Sequence, residues 1–358
     1  FFVAALAVLG ATILFLQLGL RKAAQLRASK YHTHYRSTSG QLVTAPLSPV
    51  GKTVRAVEMF YMLPSTDKIR GLLIFFHGCH HGGEDMFRLP EDRILALAAL
   101  NRGLAVVSPT SSDRNTGCWS ETDTSVLPQS IDKLLTSIGL SDTLPRIGIG
   151  ASSGGAFLFS VYRQLKFKAI ASYVAARGFE SSLLLTDAAS LPATGYVHMP
   201  ADSVTSSGVA EQYSALHAAG VPTQAWEIKQ QALTPEHCDR RLPEFGDRRC
   251  HAFLKKSKQA GLVGPDNRVL QSYTNGAWDE LMKESKIDME LDLLQSTTKK
   301  RGEVSPTAFS GRSWLRASLE EVIAACYARH EMTATYHEEV LDFLALHAAI
   351  DQEGIEES

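Results

Sequence analysis

Gly150-Ala151-Ser152-Ser153-Gly154-Gly155 is the segment whose residue types and spacing most clearly carry chemistry. A serine in G-x-S-x-G between a strand and a helix sits on a turn tight enough to demand small neighbours. The turn lifts the Ser152 hydroxyl above a sheet and sets a helix N-terminus beneath it. Here the segment follows RIGIG (146–150) and precedes an apolar stretch, so both flanks suit a nucleophile. Ser153 is the competing nucleophile, but it is less well placed relative to the glycine pair. A serine that attacks a carbonyl creates an oxyanion, which needs two preorganised N–H donors. One is the amide after the nucleophile, that of Ser153. The other belongs to the loop after an upstream strand, where LLIFFHGCHHGG (72–83) makes Cys79 the best candidate. His77, His80 and His81 in that loop also suggest a metal cluster, which would need further ligands at a suitable spacing.

The general base is harder to place, because the chain has 12 histidines. His32 and His34 precede the globular part, His198 falls within a strand, and His217 and His347 fall on helices. His237, His251, His330 and His337 remain open on the residues alone. Spacing by itself favours His237, nine residues after TQAWEI (223–228), the last obvious strand.

Positioning these groups requires a sheet. The run LLIFF (72–76) is apolar without a break, as in a strand buried on both faces. VRAVEMFYML (54–63), LAVVSP (104–109), RIGIG, KAIASYVA (168–175), GYVHM (195–199) and TQAWEI read as further strands. Helical spacing is expected at 91–103, ending on Gly103, and at 126–139, 154–165 and 209–220. Alternation of strand and helix predicts an α/β architecture, a mostly parallel sheet with helices on both faces. Residues 235–328 break the rhythm and read as an insertion or cap, before a final amphipathic helix at 333–349.

HGC at 77–79, the later Cys118-Trp119 and GASSGG at 150–155 resemble the α/β-hydrolase superfamily. They are most similar to its polyhydroxybutyrate-depolymerase and feruloyl-esterase branch and to plant-type serine hydrolases. The resemblance spans about 54–232 and resumes near 330–347, while 235–328 has no counterpart in the depolymerases. It implies an α/β-hydrolase fold and a Ser-His-Asp triad in the chain order Ser, Asp, His. It places the acid at Asp202, in the loop after GYVHM, where the carboxylate would orient an imidazole; an N-cap of the following helix is the competing role. Asp187 and Glu180 follow no sheet strand. RHEMTATYHEEVLDFLALH resembles the closing segment of the plant-type hydrolases, with His-Glu-Met before the last helix. That likeness implies His330 as the base, with His337 on the helix itself. The depolymerase resemblance of HGC and Cys118-Trp119 also implies a Cys79–Cys118 disulfide. Cys238 and Cys250 are candidates for a second bridge or, with His237 and His251, for a zinc site that adjacent ligands fit poorly. Five cysteines cannot all pair internally.

The composition bounds the partners. The 358 residues carry Lys+Arg 36 against Asp+Glu 38, with no cationic surplus for a nucleic acid. IGIGASSGG lacks the dinucleotide-binding glycine spacing, so no cofactor is expected. Residues 1–20 hold no charge and are long enough to span a bilayer as a helix, with a secretory signal peptide or a buried core helix as the alternatives, followed by a polar linker (21–53) and a hydrolase domain (54–350). The chain starts at Phe1 rather than Met, so the preceding flank that would set orientation against Arg21, Lys22, Arg27 and Lys30 is not in view. Disulfides imply an oxidising lumen or the extracellular side. The expectation is a single-pass, membrane-anchored serine esterase acting on a small-molecule ester. The competing reading is a catalytically silent hydrolase-fold subunit of a membrane protein complex. A peptidase or acyltransferase using the same triad is a third.

Overall fold

The unbroken apolar run after Arg70 folds as a strand, Gly71–Phe76, every residue of which is buried. The computed structural model describes residues 57–284, apart from 65, 67 and 244, and residues 314–350. Seven strands form one sheet: β1 (Met59–Met62), β2 (Gly71–Phe76), β3 (Leu104–Pro109), β4 (Arg146–Ala151), β5 (Phe167–Tyr173), β6 (Ala193–His198) and β7 (Thr223–Glu227). Their order is β1-β3-β2-β4-β5-β6-β7. β1 runs antiparallel to β3, and every other pairing is parallel. The arrangement is consistent with the α/β-hydrolase architecture expected from the sequence.

Parallel neighbours need crossovers, and helices supply them. They are α1 (Pro90–Asn101), α2 (Glu121–Ser137), α3 (Ser153–Leu165), α4 (Ser181–Thr186) and α5 (Ser203–Ala218). The two-residue period of β2 sorts its side chains between two cores. Leu73 and Phe75 join one with α1 and α10 (His337–His347), while Leu72, Ile74 and Phe76 join the other with α2 and α3. β2 stands between β3 and β4, with Phe76 in register with Gly150. The chain leaves β2 and β4 side by side at a point where strand order reverses, the place such sheets open a crevice.

Three helix starts differ from the periodicity. α2 begins at Glu121 rather than 126, because Ser120 and Asp123 form a reciprocal capping box ahead of the apolar residues. α5 begins at Ser203 rather than 209, with Asp202 as N-cap. α10 begins at His337 rather than 333, because the residues before it are tied to Glu91, as described below. The described parts of 235–328 build a core of their own. α6 (Pro235–Arg241), α7 (Asp247–Gln259), α8 (Ala277–Glu284) and α9 (Trp314–Tyr327) surround Phe245, Phe253, Trp278 and Ile323. The bilayer span expected at 1–20 and the linker at 21–53 lie outside the described residues. Among the described residues no helix is long and apolar enough to cross a membrane.

Candidate active site

Ser152 has φ 51° and ψ −114°, a backbone conformation that residues with a β-carbon rarely adopt. The surroundings enforce it. The Ser152 N–H donates to Tyr173 O at 2.8 Å, and its own carbonyl accepts from Ala156 N at 3.0 Å, opening α3. Two glycines let α3 start this close to the sheet. A β-carbon at Gly154 would collide with the carbonyl oxygen of Phe76, and one at Gly150 with that of Gly154. The G-x-S-x-G spacing is thus a packing requirement of the turn.

Ser152 Oγ is 3.0 Å from His330 Nε2, and His330 Nδ1 is 2.6 Å from Asp202 Oδ2. Both fit the range expected of a nucleophile, its base and the group that orients the base. Asp202 divides its two oxygens: Oδ2 meets the imidazole, while Oδ1 accepts Thr205 N–H at 3.2 Å as the N-cap of α5. Burial alone would raise its pKa. Hydrogen bonds from Thr205 and His330 outweigh that and hold the carboxyl below its ordinary value, so it stays anionic at neutral pH. The His330 side chain is 45% exposed, so the site is open to a solute. The other histidines weighed as bases serve elsewhere. His237 is buried in the 235–328 core, His251 pairs with Asp247 on α7, and the Nδ1 of His337 meets Ala334 O. Ser153 Oγ is buried and, among the described residues, has no hydrogen-bond partner, His330 included.

The loop after β2 lies against Ser152. The point where a β-carbon would stand at Gly78 is 3.6 Å from Ser152 Cβ and 3.6 Å from Ala151 O. Cys79 is bridged to Cys118, Cα to Cα 4.2 Å, and His80 N–H donates to Thr116 O at 2.6 Å. Trp119 Nε1–H donates to His77 O at 2.9 Å, and its ring stacks on Phe157 of α3 at 4.9 Å. His77 is a strut. Nδ1 lies 2.8 Å from Gly78 O, and Nε2 accepts Ser111 N–H at 3.2 Å, which together specify a neutral ring protonated on Nδ1. Burial lowers its pKa to about 4, in keeping with that state. Ser153 is the first residue of α3, so its N–H is among those that no carbonyl within the helix takes. The loop that carries Cys79 and the first turn of α3 that carries Ser153 thus meet beside Ser152 from two separate elements. Cys238 and Cys250 form the second bridge, Cα to Cα 5.8 Å, and Cys326 is a buried free thiol whose pKa burial pushes up to about 12. Among the described residues no group of three or more His, Cys, Asp or Glu side chains is disposed to hold a metal ion.

One positioning group escaped the sequence reading. Glu91, at the start of α1, accepts Ala334 N–H at 2.7 Å, four residues past His330, and is paired through its other oxygen with Arg241 of α6 at 3.1 Å. Its own N–H donates to Glu321 of α9 at 3.0 Å. An acidic residue in the first turn of a helix is ordinary, and its partners lie up to 243 positions away, so no local pattern marks it.

No family model and no curated protein matches the chain. Among solved structures it is similar to esterase PE8, at 16% identity and TM-score 0.37 over 56% of this chain and 99% of that one. A dienelactone hydrolase from Anabaena variabilis shows 17% identity and TM-score 0.37 over 53% of this chain and 87% of that one. A CIB-like hydrolase from Thermoplasma acidophilum shows 18% identity and TM-score 0.38 over 60% of this chain and 98% of that one. Likeness at this level carries no argument about activity.

Proposed function

We propose that this chain is a serine hydrolase of the α/β-hydrolase type that cleaves small carboxylic esters through Ser152, His330 and Asp202. The observation that carries the reading is the continuous contact from Ser152 Oγ through both nitrogens of His330 to the Asp202 carboxylate. In the proposed cycle His330 Nε2 takes the Ser152 proton as Oγ attacks the carbonyl, and Asp202 stabilises the imidazolium. The amides of Cys79 and Ser153 receive the oxyanion. Collapse expels the alcohol with the proton from His330, leaving an acyl-serine that water hydrolyses by the same path. The contact between base and nucleophile favours this reading over a silent subunit, which has no use for it. Turnover of p-nitrophenyl acetate tests it. Wild-type protein should show a burst equal to one site per chain, with an acetyl adduct on Ser152, and Ser152→Ala should show neither.

The uncharged run at 1–20 supports the further reading that the enzyme is held on a bilayer, by itself or within a membrane complex. Two disulfides support an oxidising compartment for the domain. Carbonate extraction of the full chain should leave it in the membrane pellet, and recovery in the soluble fraction would remove the anchor.

A further inference from the structure

His81 is the residue of the loop after β2 for which the catalytic scheme above has no use, and its ring has two differently occupied edges. Nδ1 faces Asp85 Oδ2 at 3.2 Å. The opposite edge, at Cδ2, is 4.0 Å from the point where a β-carbon would stand at Gly78. That same point is 3.6 Å from Ser152 Cβ, so His81 and the nucleophile flank one glycine. Nε2 is bonded to Cδ2, the ring atom nearest to Gly78. Among the described residues it has no hydrogen-bond partner. The side chain is 38% exposed, so part of it is within reach of a bound molecule.

The ring is also held in place. Asp85 is buried, and the oxygen that meets His81 also accepts Gly82 N–H at 3.0 Å. The charged groups facing His81 are Asp85 from the turn at 83–87, Asp92 from α1 and Glu331 from the loop of the base, with His77 as a neutral neighbour. Burial would pull its pKa down, but the hydrogen bond and charge of Asp85, with Glu331 and Asp92, push it up to about 9. At neutral pH both nitrogens are then donors, and a charged donor binds an oxyanion more strongly than a neutral one.

We propose that His81 is a second imidazole of the active site, an imidazolium whose Nε2–H donates to the acyl oxygen of the ester as negative charge grows there. The proposal rests on the serine-hydrolase reading above. As the bond from Ser152 Oγ to the acyl carbon forms, the carbonyl π pair moves onto oxygen, where His81 stabilises it without surrendering its proton. On collapse the pair returns, the bond to the leaving alkoxide breaks, and His330 protonates that alkoxide.

Steady-state hydrolysis of p-nitrophenyl acetate from pH 6 to 10 tests the proposal. His81→Asn keeps an amide near the Nδ1 position but has nothing at Nε2, and His81→Gln restores a neutral donor near Nε2. The expected result for His81→Asn is a kcat lowered by about 10²-fold at pH 7, with KM little changed, as for loss of one oxyanion donor. His81→Gln should recover part of that loss. Wild-type kcat should decline as pH rises through about 9, and Asp85→Asn should move that limb to lower pH. Variants that are folded by circular dichroism and match wild-type kcat across the range would overturn the role of His81. A fluorophosphonate added to each sample separates the two readings. Labelling of Ser152 in wild type with unchanged His81 variants defeats this proposal alone, whereas no labelling in wild type defeats the hydrolase reading and this one with it.

Discussion

In the proposed mechanism His330 is the residue on which the chemistry turns, because its two nitrogens join groups that stand 178 and 128 positions away. Asp202 serves both the imidazole and the N-terminus of α5, and the two duties can be separated. Asp202→Asn keeps an oxygen for Thr205 N–H, so thermal stability should fall by no more than about 1 kcal/mol. Its kcat for p-nitrophenyl acetate should fall on the order of 10⁴-fold, because an amide favours the wrong imidazole tautomer. A loss in Tm with kcat preserved would reduce Asp202 to a cap. At this scale the sequence was unevenly legible. Ser152 could be read from spacing, since Gly150 and Gly154 are forced by the turn itself. The choice of His330 over His237 came only from resemblance to a closing segment, His81 stood out only as one of three loop histidines, and Glu91 had no local signature.

Among the elements, the turn from β4 into α3 is the most constrained. Gly154→Ala has to place a β-carbon against the Phe76 carbonyl, with His77 O a further 2.6 Å contact. Backbone on both sides cannot yield cheaply, so a loss of about 3 kcal/mol or failure to fold is expected. Gly139→Ala meets nothing within 4 Å and carries only the strain of φ +74°, about 1 kcal/mol. Chemical denaturation of the two variants distinguishes close packing from conformational strain. The 77–83 loop is a second constrained element, stapled by Cys79–Cys118 across 39 positions. Cys79→Ser with Cys118→Ser should cost roughly 2–4 kcal/mol and loosen the loop proposed to receive the oxyanion, lowering kcat as well as Tm. Strands β2 to β6 were legible as short, mostly apolar runs, each followed by a helix. Three helix starts were not, two of them because the caps Ser120 and Asp202 lie outside the apolar period.

For the molecule as a whole, the sheet domain and the 235–328 core are joined through a buried ion pair. Arg241→Met should leave Glu91 without its counter-charge while Ala334 and Glu321 still hold it, at a cost of about 3–5 kcal/mol in unfolding free energy. Acid tests the same junction. Burial, with Arg241 and Arg240 nearby, lowers the His237 pKa to about 4. An unfolded chain takes that proton near pH 6.5 and the folded chain does not until about 4. Between those values the unfolded state binds more protons, so stability falls as pH falls. His237→Leu should remove about 3 kcal/mol of that acid loss, read as a flatter dependence of unfolding free energy on pH from 6.5 to 4. Asp92 acts in the opposite direction: burial raises its pKa to about 7, and stability rises as pH falls from there towards 4. Comparing His237→Leu with wild type isolates the first effect. The 235–328 core was read from the sequence only as a break in the strand-helix rhythm. Its contacts with α1 depend on pairs such as Glu91–Arg241, which no periodicity encodes.

The central claim, that Ser152 is a nucleophile activated by His330, is tested most directly by covalent labelling. A fluorophosphonate incubated with the folded chain should add one phosphonyl group, mapped by peptide mass spectrometry to Ser152. Labelling should be absent in Ser152→Ala, slowed on the order of 10³-fold or more in His330→Ala, and unchanged in Ser153→Ala. A folded wild-type chain that takes no label, or takes it at Ser153, would contradict the account.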